Sequence, residues 1–206
     1  ENVKFIAPTG VVTVNSLENY SESKDKISSI SGEALTGSLD ANAGEFTATA
    51  SMDVKNNNET NIKNIRILGR TYKTGTKNFD GNDLNTTFDM SMKSPITTDR
   101  ENGYKIYYSE NGEATEDLND ANNQWVEQPE SYENIKSYLI VMDKDLELEV
   151  GETLSFKYDI TIPARLGYNK SAYSIYEALY DNIQPETTVS EKAVSQVIGI
   201  TTGEGP

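Results

Sequence analysis

The chain has 206 residues, 35% of them hydrophobic, which is enough for one substantial core or two small ones. Asp and Glu number 33 against 18 Lys and Arg, a net charge of −15, so nucleic acid and anionic membrane surfaces are repelled as partners. No apolar run approaches the roughly 20 residues of a membrane helix. The absence of cysteine removes disulfides, thiolate metal sites and cysteine nucleophiles, and the absence of histidine removes the usual base near neutral pH. Any catalysis would have to run on carboxylates, Lys, Ser or Tyr.

In chain order, "VKFIAPTGVVTVNSL" predicts one or two strands, with a break at Pro8 and Gly10. "SESKDKISSISGE" is polar and reads as a loop, and "EALTGSLDAN" as a short edge strand. "FTATASMDV" (46–54) alternates, with Ala48, Ala50, Met52 and Val54 on one face. The Asn-rich "KNNNETN" and the strand "IKNIRILG" (62–69) complete a hairpin signal. Residues 70–135 carry polar Asn/Asp/Gly stretches, read as loops or decoration around a strand at 103–112.

"IKSYLIVMD" (135–143) is a nearly continuous apolar strand. "FKYDITIP" (156–163) again places Phe156, Tyr158, Ile160 and Ile162 at every second position. "AYSIYEALYDN" (172–182) has helix-forming residues, but its alternation and its place between strands favour a strand; "KAVSQVIGI" (192–200) ends the series. The whole reads as all-β, an immunoglobulin-like β-sandwich with a long insertion between strands, and with Ala48, Ala50, Met52, Ile65, Ile67, Leu154, Phe156, Tyr158 and Ile160 in the core. A single domain over 1–206, with the insertion at roughly 76–135, is favoured because 46–69 and 138–200 look like parts of one sandwich. The alternative is two small β domains split near 95–103. The first residues, "ENVKFIAP", suggest a segment of a longer protein.

"ATASMDVKNNNETNIKNIRI", "LELEVGETLSFKYDITIP", "GYNKSAYSIYEALYDN" and "QVIGITTGEGP" together resemble the Ig-like conserved-repeat domains of large Gram-positive cell-surface proteins. The resemblance covers about half the chain, residues 46–69 and 138–206. It departs from the family at "ILGRTYKTG", where an Asp/Pro turn is expected. It implies a non-enzymatic spacer or stalk outside the cell, attached to the surface or cell wall through its parent protein. Adjacent repeats would be its partners, and no segment would enter a membrane. It also suggests a Lys–Asn isopeptide crosslink, for which Lys4 or Lys55 with Asn182 could be written down. The alternative is an adhesive module whose 76–135 insertion grips a host glycan or matrix protein.

No cofactor is expected, with calcium as the one candidate. Asp143, Asp145, Glu147 and Glu149 would share one strand face, either as oxygen ligands or as a solvated face opposite Leu146, Leu148 and Val150. Asp117, Asn119, Asp120 and Asn122 form a second candidate set, and Asp80, Asn82 and Asp83 a third; neither loop matches the EF-hand pattern. Tyr104, Tyr107, Tyr108, Trp125, Tyr132 and Tyr138 concentrate in or beside the insertion. Trp125, Tyr107 and Tyr132 are the candidate ligand-binding rings, and core packing is the plainer use of such residues. A carboxylate pair for glycoside hydrolysis finds no distinctive spacing among 33 acids.

Overall fold

A computed structural model describes residues 10–30, 34–183, 188–193 and 196–205. Twelve strands are present among them: β1 Gly10–Glu18, β2 Lys26–Ile30, β3 Ala34–Leu39, β4 Phe46–Asn57, β5 Ile62–Arg70, β6 Ser91–Met92, β7 Tyr104–Ser109, β8 Ser137–Met142, β9 Thr153–Ile162, β10 Ser171–Ile183, β11 Thr188–Lys192 and β12 Gln196–Thr202. One sheet has the order β2-β1-β4-β9-β6 and the other β3-β12-β10-β5-β8-β7, with β11 also on β10. The fold is an all-β, immunoglobulin-like sandwich. All pairings are antiparallel except β3 with β12.

Alternation explains which face each central strand buries. β4 pairs with β9 from Phe46↔Ile162 to Lys55↔Thr153, so Ala48, Ala50, Met52 and Val54 meet Leu154, Phe156, Tyr158 and Ile160 on one face, all buried. Across the core, β5 offers Ile65 and Ile67, β8 Tyr138 and Ile140, and β10 Tyr176 and Ala178. Ring contacts join the two sheets, Tyr104 edge-on to Phe156 at 6.1 Å and Tyr138 tilted against Tyr158 at 6.1 Å. Gly69 lies opposite Tyr138 on β8 and Tyr176 on β10. A Cβ there would fall 2.1 Å from the Tyr138 ring, so the ring requires glycine beneath it.

Three sequence expectations need correction. Residues 26–30, read as loop, are a strand; their few apolar side chains hide it, and it exists because β1 supplies a full ladder from Val14↔Ile30 to Glu18↔Lys26. Asp143–Glu149 is not a strand: the chain turns at Lys144–Asp145, and only Leu148 returns, bridging Ile62. The four acids there are all exposed and share no strand face. The insertion is more than decoration. The chain leaves β5 at Thr71, whose N–H donates to Lys136 O, and in the excursion before β8 it adds β6 to one sheet and β7 to the other. Met90, Met92, Ile96 and Tyr108 from this excursion are buried in the shared core.

The core tyrosines divide into two kinds. Tyr176 Oη lies 2.7 Å from Val14 O and 2.6 Å from Asp53 O, a donor tying one sheet to the other. The hydroxyls of Tyr72 and Tyr138 are buried with no hydrogen-bond partner among the described residues. Removing a satisfied buried donor costs about 1–2 kcal/mol, while removing an unsatisfied one relieves a desolvation penalty. Tyr176→Phe should therefore destabilise by about that amount, and Tyr138→Phe should be neutral or stabilising. Urea denaturation of the two variants checks the contrast.

Candidate functional site

The candidate calcium loop 117–122 spends its polar groups on its own geometry. Asp117 Oδ1 accepts from Asn119 N–H at 2.9 Å, and Asp120 Oδ1 accepts from Asn122 N–H at 2.9 Å as the cap of the 3-10 turn Ala121–Asn123. Asn122 O accepts from Asn111 Nδ2 at 2.8 Å. The organising residue is the next one along. Asn123 is buried, its Nδ2 donates to Thr115 Oγ1 and Asp117 O at 2.8 Å, and its Oδ1 accepts from Thr115 N–H at 3.0 Å. In the other loop Asn78 plays this part, accepting from the N–H groups of Asp80 and Asn82, while Asp83 caps Asn85. Among the described residues no three acidic side chains converge where a metal ion could be held.

The three candidate rings are dispersed. Tyr132 stands edge-on to Tyr108, with centroids 5.0 Å apart, in an open groove that Tyr104, Ile106 and Pro95 also line. Tyr107 follows Ile106 on β7 and points to the opposite face from Tyr108. Trp125 is half-buried, and its Nε1 donates to Thr115 O at 2.9 Å, back into the insertion. Among the described residues the isopeptide set built on Lys55 is not assembled either. Lys4 lies outside the described residues, Lys55 is exposed instead of desolvated, and Asn182 Oδ1 accepts from Thr60 Oγ1 at 2.9 Å.

What the fold does assemble is a polar seam between the first and last described strands. The inner face of β1 carries Thr13 and Asn15 among apolar neighbours, both buried. Asn15 Nδ2 reaches Ser174 O on β10 and Gln196 O on β12, at 3.5 and 3.4 Å. Gln196 Nε2 donates to Ser29 Oγ on β2, and Ser16 Oγ meets Ser28 Oγ at 2.7 Å. The Asn15 amide and the Tyr176 hydroxyl on Val14 O fasten β1 to the opposite sheet, Gln196 does the same for β2, and the serine pair ties β1 to β2 within their own sheet. Both β1 and β12 are also interior to their sheets: β1 lies between β2 and β4, and β12 between β3 and β10. Sequence inspection misses the seam because Asn15 and Gln196 are 181 positions apart and neither belongs to a recognisable motif.

The two strands enter and leave at opposite ends. Gly10 pairs with Asn57, where β4 finishes beside Gly151 and Glu152. Thr202 lies beside Leu39, and its N–H donates to Lys170 O, at the end where Phe46 pairs with Ile162. A force drawing these two points apart acts along the ladders and loads many hydrogen bonds together, where a force across a ladder would break them one by one.

On the outer face of the larger sheet the insertion is pinned by Arg70. Arg70 is 2% exposed; its Nε donates to Lys77 O at 2.8 Å, and its Nη1 to Ala114 O at 2.8 Å and Ser137 Oγ at 3.0 Å. The Phe79 ring covers it, 5.1 Å from the guanidinium carbon. Burial lowers its pKa to about 10, partly opposed by Glu177. Arg70→Ala would leave three acceptors without their donor and should cost about 2–4 kcal/mol. Hydrogen exchange should show the amides of 77–84 and 112–117 losing protection first.

No protein-family model matches the chain, and no curated protein matches it. Among solved structures, the chain is similar to domains D2 and D3 of the major pilin SpaD from Corynebacterium diphtheriae, at 10% identity over 90% of this chain with a TM-score of 0.38; it spans about half, 51%, of that chain. A cohesin module of a Clostridium perfringens family 33 glycoside hydrolase is similar at 9% identity, covering 86% of this chain and 95% of that one, with a TM-score of 0.37. AggA, the major subunit of aggregative adherence fimbriae type I from Escherichia coli, is similar at 8% identity, covering 98% of this chain and 99% of that one, with a TM-score of 0.34. Similarity at this level assigns the chain no activity and no partner.

Proposed function

We propose that the chain is a non-enzymatic structural module of a bacterial cell-surface protein, held outside the cell and joined head to tail to adjacent repeats of the same polypeptide. The observation that carries this is the seam: β1 and β12 enter and leave at opposite ends, each flanked on both sides and cross-tied through Asn15, Gln196 and Tyr176. Such a module transmits tension from one end to the other without opening. The sequence resemblance to Gram-positive surface repeats supports the setting, and a net charge of −15 suits a solvated stalk.

Two copies expressed in tandem test it by small-angle X-ray scattering. β4 is 12 residues long, so at about 3.3 Å per residue each added copy should lengthen the particle by about 40 Å. A second copy that leaves the maximum dimension nearly unchanged would mean side-by-side packing and would overturn the stalk geometry.

A further inference from the structure

Where the insertion folds over the outer face of the larger sheet it leaves a cavity of about 350 Å³, lined by Leu68, Arg70, Lys77, Phe79, Glu177 and Leu179 among others. That volume is at the lower end of the range for small-molecule sites. The charges around it pair off with one exception. Lys77 Nζ is 2.8 Å from Glu113, Arg66 Nε 3.0 Å from Glu116 and Lys192 Nζ 3.2 Å from Glu177. Arg70 is ion-paired with no carboxylate among the described residues, and its Nη2 makes no hydrogen bond there, although the residue is buried.

On the adjacent strand β10, Glu177 is 5% exposed, and its Oε2 has the Lys192 ammonium as ion-pair partner at 3.2 Å but accepts no well-directed hydrogen bond. Burial raises the Glu177 pKa, with Lys192 opposing the shift. The cavity thus holds a guanidinium edge, Arg70 Nη2, with no hydrogen bond and a buried carboxylate oxygen, Glu177 Oε2, without a well-directed one, beside an apolar wall of Leu68, Phe79 and Leu179. Buried polar groups are hydrogen-bonded far more often than left bare.

The chemistry of that partner follows from the charges. A simple anion would suit Arg70 but would be forced against Glu177, inside a chain of net charge −15. A simple cation would suit Glu177 but would be driven against the buried guanidinium. A compact zwitterion satisfies both. We propose that this cavity binds a free α-amino acid with an apolar side chain, its carboxylate on Arg70, its ammonium toward Glu177 and its side chain against Leu68, Phe79 and Leu179.

The test is isothermal titration of the intact chain with L-leucine, isovalerate and isoamylamine, the last two carrying one charge each on the same branched body. Leucine should bind saturably at one site, and each half-molecule at least about tenfold more weakly. No saturable binding of leucine, or isovalerate or isoamylamine binding as tightly as leucine, would overturn the proposal. Arg70→Gln should abolish binding but removes part of the insertion's anchor, so a second variant is needed. Leu179→Phe fills the cavity and leaves every Arg70 hydrogen bond in place. A folded Leu179→Phe chain that still binds leucine as the parent does would place the ligand elsewhere and overturn the assignment.

Discussion

Raising the pH above 10 should unfold this protein in one steep step. Tyr72, Tyr108, Tyr138, Tyr158 and Tyr176 are buried, and burial raises the pKa of each, that of Tyr108 to about 12. Because the folded values lie above the unfolded value of about 10, the stability tied to these protonated phenols is fully present below pH 10. It is lost as pH rises from there toward each folded value. Each such group contributes about 1.4 kcal/mol per pH unit, so five contribute about 7. Arg70 and Lys73 work in the opposite sense, since burial lowers their pKa values and folding disfavours their charged forms. The net slope is then about 4–7 kcal/mol per pH unit, against a usual domain stability of about 5–15 kcal/mol. Near-UV circular dichroism and tyrosinate absorbance should therefore change together above pH 10, the five buried phenols among the 12 tyrosines ionising as the fold opens. Gradual ionisation of all 12 with the near-UV signal intact would show that these phenols are not sealed in the core.

Phe156→Ala should destabilise the fold severely, by about 3–5 kcal/mol. Phe156 is 1% exposed, pairs across β4 with Met52 and meets Tyr104 of β7 edge-on. Its loss opens a cavity where the insertion's strand joins the rest of the core, and neighbouring rings held by the other sheet cannot close it cheaply. Lys157→Ala on the exposed face of the same strand should change stability by less than about 0.5 kcal/mol. Comparable losses at the two positions in a guanidinium titration would mean that the strand does not present Phe156 to the core.

Much of the β framework was legible because burial on one face writes period-two alternation. Residues 46–54 and 156–162 display it plainly, and the nine core residues expected from 46–67 and 154–160 are all buried. The segment 172–182, whose composition also suits a helix, is strand because β5 and β12 pair with it on either side. Pairing of that kind is also what hid β2, where Ser28 and Ser29 are held by Ser16 and Gln196 and little apolar surface marks the strand. The departure at Gly69 was visible, but its reason was not: the glycine makes room for Tyr138, which lies beyond the insertion.

The site was far less legible. Acidic and aromatic residues draw attention by number, yet Asp117 and Asp120 are turn formers and Trp125, Tyr107 and Tyr132 face different ways. Asn15, Gln196, Arg70 and Glu177 carry the polar structure of the interior. Nothing local distinguishes them, because each acquires its environment from partners far away in the chain. Asn123 is the nearest miss, one residue beyond the set singled out.

The proposed structural role requires the module to bear tension end to end. Single-molecule stretching in two geometries tests it directly. The chain has no cysteine, so one handle can be placed at the amino terminus and the other at either the carboxy terminus or an Asn58→Cys thiol. Pulling end to end loads the β1 and β12 ladders in shear, together with the Asn15–Gln196 seam. Pulling between the amino terminus and position 58 peels β1 from β4 starting at the Gly10–Asn57 pair. The end-to-end unfolding force should be several times the peeling force, because a nine-residue strand then ruptures all at once instead of bond by bond. Equal forces in the two geometries, or a lower force end to end, would contradict a structural role under tension.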